Sequence, residues 1–168
     1  MKRTEYVKMT KSLKAKPGLL KFCIAANKVG PYLYGALFAL LLSFMFLASP
    51  AGMLRVLVVT AGSFLLIELV SLFLDYPRPY EKFGVEPAIP EDKADGHTLP
   101  CKPAYWYTII GMTFLFVLAF PLNIIGIVLL IGAAGLCAVR VIGGLHFTRD
   151  VIAGILLAVL FGCIGFLA

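Results

Sequence analysis

Apolar residues gather in five stretches of this 168-residue chain, at 31–49, 53–74, 104–120, 122–139 and 151–168. A helix needs roughly 20 such residues to cross a hydrocarbon core about 30 Å thick. The pattern therefore predicts an all-α, polytopic membrane helix bundle with about five transmembrane helices. The third and fourth stretches are short and meet at Pro121, Leu122 and Asn123, which reads as a tight helical hairpin. Pro50, Ala51 and Gly52 form the turn between the first two. Ahead of the first, Leu19, Leu20, Phe22, Cys23 and Ile24 are interleaved with Lys21 and Lys28. That is the pattern of an N-terminal interfacial amphipathic helix leading into the first span. For residues 1–17, a disordered basic leader that only sets topology fits equally well.

Two polar segments interrupt the apolar background. The connection 75–103 carries Pro77, Pro79, Pro87, Pro90, Pro100 and Pro103 together with Glu81, Glu86, Glu91, Asp92 and Asp95. Prolines at that density forbid a continuous helix, so an ordered loop or lid outside the membrane is expected. The second segment, 140–150, holds Arg140, His146 and Asp150 between two apolar runs. A buried carboxylate can orient an imidazole and leave its other nitrogen free as base or nucleophile, while an arginine fork matches a phosphate. If a helix begins near Gly144, His146 and Asp150 lie one turn apart on one face.

Composition agrees with the pattern. The chain is 61% hydrophobic and 14% charged, with a mean hydropathy of +0.95, far from the range of soluble domains. No separate soluble domain fits in what remains. Residues 1–30 form a basic tail and interfacial helix, and 31–168 a single membrane-embedded domain whose site is built from 75–103 and 140–150. The first long apolar run starts only near residue 31 and lacks a small-residue cleavage site, so no removable leader is expected. Cys23, Cys101, Cys137 and Cys163 form no CxxC pair and read as small buried hydrophobes. Two histidines and a carboxylate loop without ligand spacing argue against a metal site, and no cofactor is expected.

Charge sets a direction. Eight of the fifteen Lys and Arg lie in the first thirty residues, as Lys2, Arg3, Lys8, Lys11, Lys14, Lys16, Lys21 and Lys28. Such a tail stays in the cytoplasm, drawn to anionic headgroups, so a bilayer rather than a nucleic acid is the expected partner. Five spans place fourteen of the fifteen on one side, with only Arg55 on the other. The positive-inside rule then puts the N-terminus and the site on the cytoplasmic face of a plasma membrane, taken as bacterial. Glu68 lies within the second span, where a carboxylate costs a few kcal/mol without a partner. It faces the bundle interior, either pairing with a site cation or held protonated or hydrogen-bonded by a neighbouring helix. Gly126, Gly132, Ala133 and Gly135 permit close helix contact, within the monomer or between copies, and leave the oligomeric state open.

The spacing Arg140, five residues, His146, three residues, Asp150 resembles the third motif of the type-2 phosphatidic acid phosphatase superfamily, with Val139 where that motif has serine. Arg78-Pro79 is similar to the end of its first motif, whose lysine position is Ser71 here. Where the second motif has Pro-Ser-Gly-His, this chain reads Pro100, Cys101, Lys102 and Pro103. The resemblance implies a lipid phosphatase in which His146 attacks phosphorus to give a phosphohistidine. Asp150 would fix the imidazole tautomer, and Arg78 and Arg140 would neutralise the phosphoryl oxygens. It also implies that the acid protonating the leaving group is missing at Pro103. His97 is a surrogate candidate, with a solvated loop histidine as the plainer reading, and Lys102 is placed to restore the cation lost at Ser71. The expected partner is a phosphorylated lipid, phosphatidic acid-like or an isoprenoid diphosphate. The departures equally fit an inactive relative that binds anionic lipid or a partner. Many members carry six spans and an extracytoplasmic site, the opposite face from the one the charges select.

Overall fold

The computed structural model describes residues 1–74, 76–90 and 99–167. Among the described residues, seven helices run in the order α1 (Arg3–Lys14), α2 (Pro17–Ala48), α3 (Pro50–Phe73), α4 (Pro79–Phe83), α5 (Lys102–Val117), α6 (Ile124–Ile142) and α7 (Thr148–Leu167). Four of them, α2, α3, α6 and α7, are long and apolar enough to cross a membrane. The third predicted span is instead α5, with 16 residues. At about 1.5 Å per residue it is shorter than a hydrocarbon core. It is the central helix, touching α2, α3, α6 and α7.

Two predicted boundaries move for identifiable reasons. The expected interfacial helix and first span are one 32-residue helix, α2, which runs through Pro31. Proline removes one backbone donor from a helix interior, a loss that packed membrane helices tolerate. At the next boundary, Pro50 starts α3 instead of making a turn, because a first-turn residue needs no N–H. Ser49 alone separates α2 from α3 and caps the latter, its Oγ accepting from the Gly52 N–H at 3.2 Å. Residues 3–14 are helical as well, with Glu5 in the first turn and Lys11 and Lys14 in the last, the charge order the helix dipole favours.

Close approach of α6 and α7 to α5 forms the core. A Cβ at Gly126 would lie 2.4 Å from the Leu115 backbone nitrogen, so only glycine lets α5 and α6 cross there. Gly126 thus packs within the monomer. At Gly154 a Cβ would lie 2.6 Å from the Cys101 carbonyl, which fixes α7 against the head of α5. Tyr34 of α2 closes the remaining side, its hydroxyl donating to the Leu129 carbonyl and its ring 4.8 Å from that of Tyr107.

Candidate functional site

The site is assembled where α6 ends and α7 begins. The Gly144 N–H donates to the Val141 carbonyl at 3.0 Å and the Leu145 N–H to the Arg140 carbonyl at 3.0 Å. With Gly144 at φ +83°, these bonds make a Schellman cap in which Gly144 is the left-handed residue. The glycine pair therefore closes α6 rather than opening α7. His146 lies in the turn, and α7 begins only at Thr148, so the one-turn relation expected for His146 and Asp150 does not arise from a shared helix.

Asp150 is the third residue of α7, where a helix dipole favours negative charge. Its Oδ1 accepts from Arg149 Nε at 3.2 Å, and its Oδ2 is buried without a hydrogen-bond partner among the described residues. The Asp150 carbonyl accepts from the Cys101 N–H at 2.9 Å, joining α7 to the start of α5.

The connection from α3 lies against the same turn. The Ala88 and Ile89 N–H groups both point to the Gly143 carbonyl, at 2.9 and 3.3 Å, and the Phe83 ring meets Phe147 edge-on at 5.9 Å. Nearby, the Arg149 guanidinium stacks 3.9 Å from the Tyr76 ring centroid. A hydrogen bond with Arg149, reinforced by its charge and that of Lys82, holds the Tyr76 hydroxyl below the usual tyrosine range. Arg78 is the N-cap of α4 in this connection, its backbone N–H held by Glu81 Oε2 at 3.0 Å. Arg140 lies beside the Tyr107 hydroxyl of α5. Arg78, Arg140, His146 and Asp150 are all between 0% and 7% exposed, in a part of the fold where charged side chains are buried only with partners.

The remaining expected residues divide. Lys102 forms an ion pair with Glu68 Oε2 at 2.7 Å, so the carboxylate in the second span is answered by a cation at the head of α5. Ser71 is buried one turn after Glu68 and donates to the Glu68 carbonyl at 2.7 Å, leaving its hydroxyl engaged with its own helix. Cys101 is fully buried, and burial pushes its thiol up to about 12, so it is no nucleophile at neutral pH. Pro103 sits in the first turn of α5 and lines an apolar cavity of about 310 Å³ shared with Tyr34, Phe38 and Trp106. His97 lies outside the described residues.

A second apolar groove of about 470 Å³ runs between α2 and α6, from Phe22 and Val139 to Leu33, Tyr34 and Val128. Val139 directly precedes Arg140, so the groove starts at the level of the site. Sequence reasoning did not find Tyr6, which joins this region from α1. Its single hydroxyl proton is shared between the carbonyls of Gly144 at 3.2 Å and Val85 at 3.4 Å. Burial, then the neighbouring Tyr80, pushes that hydroxyl up to about 12, so it remains a donor. The helical spacing of Tyr6, Thr10 and Leu13 was the available signal.

An all-helical membrane bundle with buried arginine, histidine and aspartate at one end defines a class of integral membrane proteins. A family model described as the PAP2 superfamily matches residues 52–168, and the chain belongs to this phosphatase-type family. No curated protein and no solved structure matches the chain.

Proposed function

We propose that the protein is a membrane lipid phosphatase working through a phosphohistidine at His146. The observation that carries this reading is the convergence of separate segments. What supports it is that Ala88 and Ile89, in the connection that carries Arg78, bond the Gly143 carbonyl between Arg140 and His146, and that Arg78, Arg140, His146 and Asp150 are all buried. A deprotonated ring nitrogen of His146 attacks phosphorus, and the phosphorus–oxygen bond to the lipid breaks with its electrons leaving on that oxygen. Arg78 and Arg140 offset the charge that develops on the other phosphoryl oxygens. Asp150 Oδ2 is a buried acceptor suited to hold the imidazole N–H. Water then attacks the phosphohistidine, releasing inorganic phosphate and restoring the imidazole.

The leaving group narrows the substrate. Pro103 has no proton to give, and a diphosphate lipid departs as a phosphate monoester, a weaker base than an alkoxide. An isoprenoid diphosphate therefore suits the site better than phosphatidic acid. The α2–α6 groove is apolar and begins beside Arg140, which fits a hydrocarbon chain. Lys102, held by Glu68 one turn from Ser71, supplies positive charge near the position of the missing motif lysine. The basic tail is joined to the site through Tyr6, and the excess of Lys and Arg on that side favours a cytoplasmic face for it.

Phosphate release from the purified protein in detergent tests this reading with phosphatidic acid, phosphatidylglycerophosphate and isoprenoid diphosphate as substrates. Turnover is expected, fastest on the diphosphate, and is lost in His146→Ala. Intact lipid binding with no turnover of any of the three would instead support an inactive lipid-binding relative.

A further inference from the structure

Helix α1 touches both halves of the site while presenting its charged side outward. Tyr6, Thr10 and Leu13 are all buried on one face. Tyr6 bonds the Gly144 and Val85 carbonyls and sits 5.4 Å from the Phe83 ring, which in turn meets Phe147. Leu13 packs in one cluster with Cys23, Ala88, Ile89 and Leu145. One short helix therefore pins the connection that carries Arg78 to the turn that carries His146. The fit is close: a Cβ on Gly144 would lie 2.8 Å from the Tyr6 hydroxyl oxygen.

The opposite face carries Lys8 and Lys11, flanked by Arg3 and Lys14, all exposed. At about 100° per residue, Lys8 and Lys11 project more than roughly 120° around the helix from Tyr6. Lys16 and Lys21, also exposed, extend the same charge into the start of α2, and Glu5 is the only acid in the first thirty residues. A row of cations beside the end of a membrane bundle has a natural counterpart in anionic headgroups.

We propose that α1 reads membrane charge: anionic phospholipid headgroups bind its lysine face and, through Tyr6 as a positioning residue, hold the His146 turn against the Arg78 connection. This regulation of the site rests on the phosphatase reading for its purpose, but the coupling itself can be measured without turnover. Headgroup attraction alone would protect α1 and leave the turn unchanged. Coupling also requires the Tyr6 hydroxyl.

The test uses the full chain in phosphatidylcholine nanodiscs with an increasing fraction of phosphatidylglycerol. Two readouts are followed, hydrogen exchange of residues 4–14 in α1 and hydrogen exchange of residues 143–147. Phosphatidylglycerol is expected to slow both by about tenfold or more, given the number of lysines engaged. Lys8→Glu/Lys11→Glu/Lys14→Glu should lose both responses, and high salt should weaken both in the wild type. Tyr6→Phe should keep the protection of α1 and lose the response of the turn. Indifference of both readouts to phosphatidylglycerol would overturn the proposal, as would a Tyr6→Phe protein whose turn responds like the wild type. If exchange responds as described while no lipid is dephosphorylated, the charge-reading role stands and the phosphatase reading fails.

Discussion

Lys102 Nζ stands 2.7 Å from Glu68 Oε2, joining the head of α5 to the last turns of α3. Both side chains keep part of their surface exposed, at 32% and 46%, so the pair is not a deeply buried one. Its contribution to stability is expected at about 0.5–1 kcal/mol, the range for partly screened pairs. A double-mutant cycle of Lys102→Met and Glu68→Gln, read by thermal unfolding in detergent, should return that coupling. If Lys102 also serves the phosphate, Lys102→Met raises KM for lipid phosphate, whereas Glu68→Gln at matched stability does not.

Helix contact makes a sharper stability prediction. Gly126→Ala places a methyl group 2.4 Å from the Leu115 nitrogen and forces α5 and α6 apart, while Gly135 has nothing within 4 Å of its Cβ position. Overpacking of this kind costs about 1–3 kcal/mol. Gly126→Ala should lower the unfolding midpoint clearly, and Gly135→Ala should leave it within error.

Much of this architecture was legible in the sequence, and the exceptions have physical causes. The helices now seen as α3, α6 and α7 could be read from unbroken apolar runs, since nothing else satisfies the backbone of such segments in lipid. Arg140, His146 and Asp150 stood out because polar residues between apolar runs need a reason. Pro31 misled, because a proline that ends a helix in water is tolerated in a packed membrane helix. Gly144 misled in the other direction, since its positive φ closes α6 and leaves His146 in a turn. Helix α1 was hard to see because its docking face is only Tyr6, Thr10 and Leu13, a stripe too polar and short to declare burial.

Cys101 offers a pH-dependent test. Its thiol is pushed up to about 12 from an ordinary 9.0, first by burial. Below pH 9 its thiolate population is then about a thousandth of that of an ordinary thiol. Maleimide at pH 8 should leave Cys101 unmodified in the folded protein and react after denaturation. Because the folded value is the raised one, the associated stability is present below about pH 9 and is lost as pH rises through about 12. Rapid labelling of Cys101 at pH 8 in the folded state would contradict this burial.

The charge distribution predicts a side. Glu86 is exposed in the connection that packs on the site turn, so a cysteine placed there reports the face of the membrane without disturbing the core. An impermeant thiol reagent should label Glu86→Cys in intact cells only after permeabilisation, as the fourteen-to-one distribution of Lys and Arg requires. Labelling of intact cells would place the site on the outer face.

Asp150 is fully buried four residues after His146, with one oxygen engaged by Arg149. If its other oxygen orients the imidazole, Asp150→Asn should lower kcat by about a hundredfold or more with little change in KM, since an amide can stabilise the wrong tautomer. An equal rise in KM with kcat unchanged would assign Asp150 to binding instead.

Passage of the phosphoryl group through His146 can be caught by rapid quenching. Protein mixed with lipid labelled in the transferable phosphoryl group and quenched in base should yield a labelled chain whose phosphate is stable in alkali and lost in acid. The label should map to His146 and be absent from His146→Ala. Turnover of the lipid with no phosphoprotein at any quench time, or label on another residue, would rule out a phosphohistidine at His146.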